Sequence, residues 1–276
     1  MTWPQSIRTV RPLDFLLILL MNLTALPLML IWTAVGIFLF PALLIILKAA
    51  TRWNAEQITR RLIWVYGRGW LAIMLPFIRF ELIGIKQDKT KPPCIYVANH
   101  LSFFDIYCLA VLPYFNVSIA IRNWPFKMYW YAPFMHMAGY LNIEKMSWEK
   151  FSESAAQVLS KGGALLFFPE GHRSRDGQLQ RFYSGAFKLA AETGVKIVPL
   201  CIRGTNEVLP PGRWWLKPAK VTIKALDPVD PKSYAKPSSH RLIRKNVKNM
   251  MIQSLSEMDI DTTMGNTDVP RSVCSS

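Results

Sequence analysis

The pattern of apolar and polar positions divides the chain into an apolar zone, an amphipathic zone and a zone of alternating short elements. From Phe15 to Leu47, 33 residues carry no charged side chain. A single straight helix of that length would run about 50 Å, against a hydrocarbon core of about 30 Å. Pro27, Gly36 and Pro41 offer places to kink or reverse. Two arrangements of residues 14–48 follow: one tilted, kinked membrane span, or a hairpin that enters and leaves on the same side. Arg8 and Arg11 before the segment, and Lys48 and Arg52 after it, favour the hairpin with both ends cytoplasmic. A cleaved signal peptide fits poorly, because the stretch far exceeds a signal core and no small-x-small site follows cleanly.

Between Gln57 and Phe77 the period is helical. At about 100° per residue Arg60, Arg61 and Arg68 share one arc, opposite Ile58, Leu62, Val65, Tyr66, Ala72 and Ile73. An amphipathic helix over 55–77 with a basic face toward the membrane surface is the expectation. From residue 79 the runs shorten. Arg79–Ile85, Cys94–Ala98, Val117–Ile121, Ala164–Phe168, Lys196–Ile202 and Val221–Leu226 read as strands. Helices are expected from near Ser102, over Trp148–Lys161 and Gly185–Glu192, and over Ser239–Ser256. This alternation predicts an α/β fold, a mostly parallel or mixed sheet covered by helices, with a hydrophobic N-terminal helical element attached to a membrane. The division expected is 1–78 for that element, 79–258 for the α/β domain and 259–276 for a polar, disordered tail.

The charge sharpens this picture. With 33 Lys and Arg against 18 Asp and Glu, the net charge is +15. That field favours anionic partners such as phospholipid headgroups, phosphorylated substrates or an acidic carrier protein. A 51% hydrophobic fraction and the lack of a nucleic-acid motif argue against nucleic acid. Cys94, Cys108, Cys201 and Cys274 show no metal-type spacing. The first three lie in apolar runs and read as buried free thiols in a reducing compartment.

Two strand ends carry candidate chemistry. Cys94–Ala98 runs into Asn99-His100-Leu101-Ser102-Phe103-Phe104-Asp105, an imidazole and a carboxylate where open α/β sheets hold their sites. Ser102-x-x-Asp105 is also a capping box, which would begin a helix without doing chemistry. The second strand ends in Pro169-Glu170-Gly171-His172-Arg173-Ser174-Arg175-Asp176-Gly177, bringing an acid, a glycine and two arginines to the same crevice. His172 is a weaker candidate base, and His136 and His240 read as packing and surface residues. The aromatic run from Trp124 to Phe134 suits an acyl groove, the membrane interface or plain core packing. Trp214 and Trp215 form a loop able to dip into headgroups.

These blocks, in order, resemble those of the glycerolipid acyltransferases, the family of 1-acyl-sn-glycerol-3-phosphate (lysophosphatidic acid) acyltransferases. Asn99-His100-x-Ser102-x-x-Asp105 matches their His-x4-Asp block, Phe168–Ser174 their Phe-Pro-Glu-Gly-Thr-Arg-Ser block, and Val198–Thr205 their Val-Pro block. His172 stands in place of the usual threonine, Tyr183-Ser184 replaces a lysine-rich pair, and Arg122 stands where a lysine is common. The resemblance implies acyl transfer from acyl-coenzyme A or acyl carrier protein to a lyso-glycerophospholipid at the cytoplasmic face of the cell (inner) membrane, with no metal and no cofactor beyond the thioester. His100 would take the proton of the acceptor hydroxyl, and Asp105 would fix its tautomer. Backbone amides near the helix start would stabilise the oxyanion. Arg122 and Arg173 would bind the acceptor phosphate, with Glu170 and Gly171 shaping that pocket and Arg175 a weaker contributor. The departures leave open another acceptor, a lysophospholipid or a lyso-ornithine lipid. Three further readings also stand: an acylated Ser102, an inactive lipid-binding scaffold on the same fold, and a metal-dependent hydrolase, which lacks further clustered ligands.

Overall fold

A computed structural model describes residues 12–85, 90–234 and 239–264, with side chains through 260. Seven strands form one sheet: β1 (Ile78–Ile83), β2 (Cys94–Ala98), β3 (Val117–Ile121), β4 (Leu141–Asn142), β5 (Ala164–Phe167), β6 (Ile197–Arg203) and β7 (Ala219–Ala225). Their order is β1-β7-β6-β2-β5-β3-β4. All neighbours pair in parallel except β6 with β7. The expected mixed α/β architecture is therefore observed. β2, β5 and β6 are buried on both faces, as their unbroken apolar runs require.

One face of the sheet packs against α1 (Pro12–Ala50), α2 (Ala55–Met74) and α3 (Asp105–Cys108), through Met21, Ala25, Met29, Leu71, Met74, Tyr107 and Cys108 over Tyr96, Leu166 and Leu200. The other packs against α5 (Trp148–Ser160), α6 (Gly185–Thr193) and α8 (Ser239–Met264), through Phe151, Ala155, Phe187, Ala190, Ile243, Val247 and Met251 over Ile95, Val97, Leu165 and Ile197. The alternation of neighbours along β2 follows from the two-residue period of a strand. The short helix α4 (Ala132–Met137) carries His136, read from the sequence as a packed helix residue, whereas the short helix α7 (Thr205–Val208) and the two-residue β4 fall where no element was expected.

The hairpin reading of residues 14–48 is overturned, because α1 is one continuous helix with Pro27 and Pro41 inside it. Each proline removes one intrahelical hydrogen bond, whereas a reversal would free up to four N–H and four C=O groups among apolar side chains. α1 is long and apolar enough to cross a membrane. It also lies along the domain: Asn22 exchanges two hydrogen bonds with the Leu216 backbone, both 2.9 Å, Trp32 donates to the Tyr66 carbonyl at 3.0 Å, and Phe40 meets Phe134 edge-on. Gly69 permits this approach, since any Cβ there would strike the Trp32 ring. Seventeen large apolar residues of α1 remain exposed, Phe38 by 82%.

The basic face expected on α2 is also corrected. Arg60 points inward at 4% exposure, donating to the Ala138 carbonyl at 2.7 Å, to Asn116 Oδ1 at 2.9 Å and to Glu56 at 3.2 Å. Angular position alone cannot distinguish an arginine in water from one satisfied by a neighbouring loop. Arg61 and Arg68 instead flank the Trp64 ring at 4.7 and 4.3 Å. A capping box, Asn54 with Gln57, starts α2.

α8 continues to Met264, beyond the expected boundary at 258, and the remainder of the expected tail lies outside the described residues. Cys94, Cys108 and Cys201 are buried and free. Burial pushes the thiols of Cys94 and Cys201 up to about 12, which keeps them protonated and unreactive. Cys274 lies outside the described residues.

Candidate active site

The site forms at the carboxyl ends of β2 and β5, and strand register builds it. Val97 is paired with Phe167. Three residues further along each strand stand His100 and Glu170, and the His100 N–H donates to Glu170 Oε1 at 2.7 Å, a side-chain substitute for the next ladder bond. The Ser174 N–H donates to the His100 carbonyl at 2.8 Å, so both backbone groups of His100 are held by the loop after β5. On the other side Asn99 extends the pairing to β6, accepting from the Ile202 N–H at 2.7 Å and donating to its carbonyl at 2.9 Å.

Asp105 is wholly buried, and one of its oxygens, Oδ2, gathers three donors. These are His100 Nδ1 at 2.8 Å, the Leu101 N–H at 2.7 Å and the Ser102 N–H at 2.9 Å. With Nδ1–H engaged by the carboxylate, Nε2 is the basic nitrogen of the ring. Phe168 stacks on the imidazole with centroids 4.3 Å apart.

The capping box is half realised. Asp105 reaches back to the Ser102 N–H as a box requires, but Ser102 Oγ accepts from Phe104 at 3.1 Å and donates to the Leu209 carbonyl at 2.6 Å. With its hydroxyl buried and engaged, Ser102 is a structural residue, which removes the acyl-serine reading. The amides of Leu101, Ser102, Phe104 and Asp105 all have internal acceptors. These four of the amides expected to serve as oxyanion donors at the helix start are thus already occupied.

Glu170 does not line the pocket as expected. It is 1% exposed, and its second oxygen accepts the Gln180 N–H at 2.7 Å. Burial raises its pKa above the ordinary carboxylate range, against the lowering effect of the two amides. Gly171 does line the site, at φ +71°, and Tyr183 lies so close that a Cβ would meet its ring at 2.9 Å. Ser174, Asp176, Gln178 and Gln180 bond to one another and stiffen the loop.

Two cavities meet at His100. An apolar groove runs from it past Phe103, Ile119, Trp124, Tyr131, Met135 and Phe168. Part of the aromatic run expected to line an acyl groove is thereby found there, while Tyr129 and Trp130 face outward and Phe134 rests on α1. A polar basin of about 590 Å³ opens on the other side, lined by Arg122, His172, Arg173, Arg175, Asp176 and Gln180. Arg122 and Arg173 border both cavities. Arg122 is oriented by Glu144, at 2.6 Å, which also accepts the Asn123 N–H at 2.8 Å. That amide, then the guanidinium, hold Glu144 below the usual carboxylate range. Sequence reasoning missed Glu144, 22 residues from its partner, for lack of any local signal. Among the described residues the Arg173 and Arg175 side chains have no ion-pair partner, which leaves them available to an anion. His172 is exposed in the basin, and His136 packs on Phe126.

Residues 79–203 match the family model described as Acyltransferase. The chain is similar to the chloroplastic 1-acyl-sn-glycerol-3-phosphate acyltransferase of Brassica napus, 34% identical over 52% of this chain and 43% of that one. It is also similar to that of Chlamydomonas reinhardtii, 32% identical over 67% and 58%, and to that of Salmonella typhimurium, 30% identical over 64% and 76%. The chain thus spans about half the length of the plant and algal relatives and three quarters of the bacterial one. In fold it is similar to the 1-acyl-sn-glycerophosphate acyltransferase of Thermotoga maritima, with a TM-score of 0.67 at 22% identity, over 89% of this chain and 96% of that one.

Proposed function

Since the chain belongs to the acyltransferase family, we propose that it transfers an acyl chain from a thioester to the free hydroxyl of a lyso-glycerophospholipid, in the first instance 1-acyl-sn-glycerol-3-phosphate, giving phosphatidic acid. The observation that carries this reading is that His100, aligned by Asp105, borders both an apolar groove and an arginine-lined basin. A lyso-lipid has the same division between chain and phosphate.

The acceptor phosphate rests between Arg122 and Arg173, whose guanidinium forks suit phosphate oxygens. His100 Nε2 takes the hydroxyl proton as that oxygen attacks the thioester carbonyl. The C–O bond forms, the C–S bond breaks, and the imidazolium returns its proton to the leaving thiolate. Asp105 stabilises the imidazolium, and its two backbone donors hold the carboxylate in place. Glu170 acts through backbone, tying His100 to the basin wall at Gln180. The chemistry needs no cofactor beyond acyl-coenzyme A or acyl carrier protein as co-substrate. The exposed side of α1 supports attachment to a membrane.

The test is an assay of the purified full chain in nanodiscs against lysophosphatidic acid, lysophospholipid and lyso-ornithine acceptors, each with both donors. Phosphatidic acid as the preferred product supports the proposal. Preference for a phosphodiester or amino-acid headgroup would reassign the acceptor, and inactivity with every pair would favour the scaffold.

A further inference from the structure

The first three turns of α8 carry Arg241, Arg244, Lys245 and Lys248, and no Asp or Glu occurs from Ser239 through Ser256. Arg241 with Lys245 and Arg244 with Lys248 stand four apart, like-charged spacings that weaken a helix. Cations at a helix start also oppose its dipole. Lys188, Arg203, Lys220 and Lys224 are ion-paired, whereas among the described residues Arg181, Arg241, Arg244, Lys245 and Lys248, like many other cations of the chain, are not. No fold requirement explains such a concentration.

Its position is informative. Arg244 donates to Ser184 Oγ at 2.7 Å, and Lys248 lies 5.8 Å from the Phe182 ring, so α8 abuts the segment from Arg181 to Ser184. That segment leads back to the site: the Tyr183 N–H donates to the Pro169 carbonyl at 2.8 Å, next to Glu170 and its bond to His100. The contacts of His100 with Glu170, Pro169 with Tyr183 and Ser184 with Arg244 thus link His100 to the strip. The strip also lies on the sheet face opposite α1 and its exposed apolar side. A ligand on it approaches from the side away from the lipid-seeking helix.

We propose that Arg181, Arg244 and Lys248, extended by Arg241 and Lys245, form the docking surface for an acidic protein that carries the acyl chain as a thioester on a long flexible arm. This deepens the acyl-transfer reading above and rests on it. The protein body stays on the strip, while the arm passes along residues 181–184 and delivers its thioester to His100. Charge complementarity would set the rate of encounter more than the chemistry.

The test reverses charge in the full chain in nanodiscs with R181E/R244E/K248E, and compares it with K150E/K161E/K196E, exposed cations elsewhere on the domain with the same total charge change. KM for the acyl-carrier-protein thioester is expected to rise at least about tenfold in the strip variant at unchanged kcat. KM for acyl-coenzyme A stays put, and the control triple alters neither. An equal rise for both donors, or none for the carrier, overturns the proposal. Binding of the unacylated carrier by surface plasmon resonance is measured in parallel, so an enzyme inactive with every donor would fail the functional reading while docking is still decided. Carrier binding indifferent to the strip variant, or an equal loss of co-sedimentation with anionic vesicles, overturns the docking surface. Should the reversed variant fold poorly, R181Q/R244Q/K248Q gives the same comparison at half the charge change.

Discussion

At the scale of single residues, the motif around His100 is a division of labour. Asn99 and Ser102 close backbone gaps, Asp105 holds the ring, and of these polar residues only His100 faces the cavities. Replacement by His100→Ala is expected to lower transfer about 10²- to 10⁴-fold, with the circular dichroism spectrum and membrane attachment unchanged. Near-normal turnover by that variant would remove His100 from the chemistry. Glu170 offers a separate test, on stability. Because burial raises its pKa, the folded chain binds this proton more readily than the unfolded one. The contribution is fully present below the ordinary value near 4.5 and is lost as pH rises through the raised one. Between those points the urea midpoint of the native chain should fall with pH more steeply than that of Glu170→Gln, and parallel curves would contradict the assignment. The variant should also lose activity, since its amide cannot accept the Gln180 N–H while still accepting that of His100.

At the scale of elements, legibility tracked length and burial. β2 and β3 were readable to the residue because apolar runs of five bounded by polar turns leave little else to form. β4 and α7 were missed because two to four residues are too few for a period to register. α5 matches the Trp148–Lys161 read from the sequence to within a residue, with Ser147 accepting from Lys150 at its start and Gly162 at φ +70° beyond its end. The errors came where tertiary partners override local pattern: α1 runs through two prolines, and Arg60 turns inward to bonds 56 and 78 residues distant. Of the partners that orient the site, Glu144 has no sequence signature and Glu170 was legible from its block only as a residue shaping the phosphate pocket, whereas His100 and Asp105 announce themselves by spacing. Removing the buried guanidinium with Arg60→Met leaves the Ala138 carbonyl and Asn116 without their donor. The expected cost is about 3 kcal/mol, seen as a Tm lowered by roughly 6–12 °C. A change under 2 °C, roughly 1 kcal/mol or less, would mean water replaces the guanidinium.

At the scale of the molecule, the sheet separates two environments. One helical layer ends in the bare apolar side of α1, the other in the cationic start of α8. Seventeen exposed large apolar side chains on α1, at about 1 kcal/mol or more each on transfer from water, outweigh the roughly 4–15 kcal/mol cost of association. On the acyl-transfer proposal, the helix that seals one face of the core would also fasten the chain to lipid, where a lyso-lipid acceptor resides. Leu30, Phe38 and Ile45, 72%, 82% and 70% exposed, can be changed without touching that core. Replacing all three with Asp puts about 2.5–3.5 kcal/mol per residue against burial in hydrocarbon. Much of the chain is then expected in the soluble fraction after ultracentrifugation, with its thermal unfolding preserved and its turnover recovered on lyso-lipid dispersed in detergent. Retention of the triple variant in the membrane pellet would locate the anchor elsewhere, with the exposed Trp214 next to be tested.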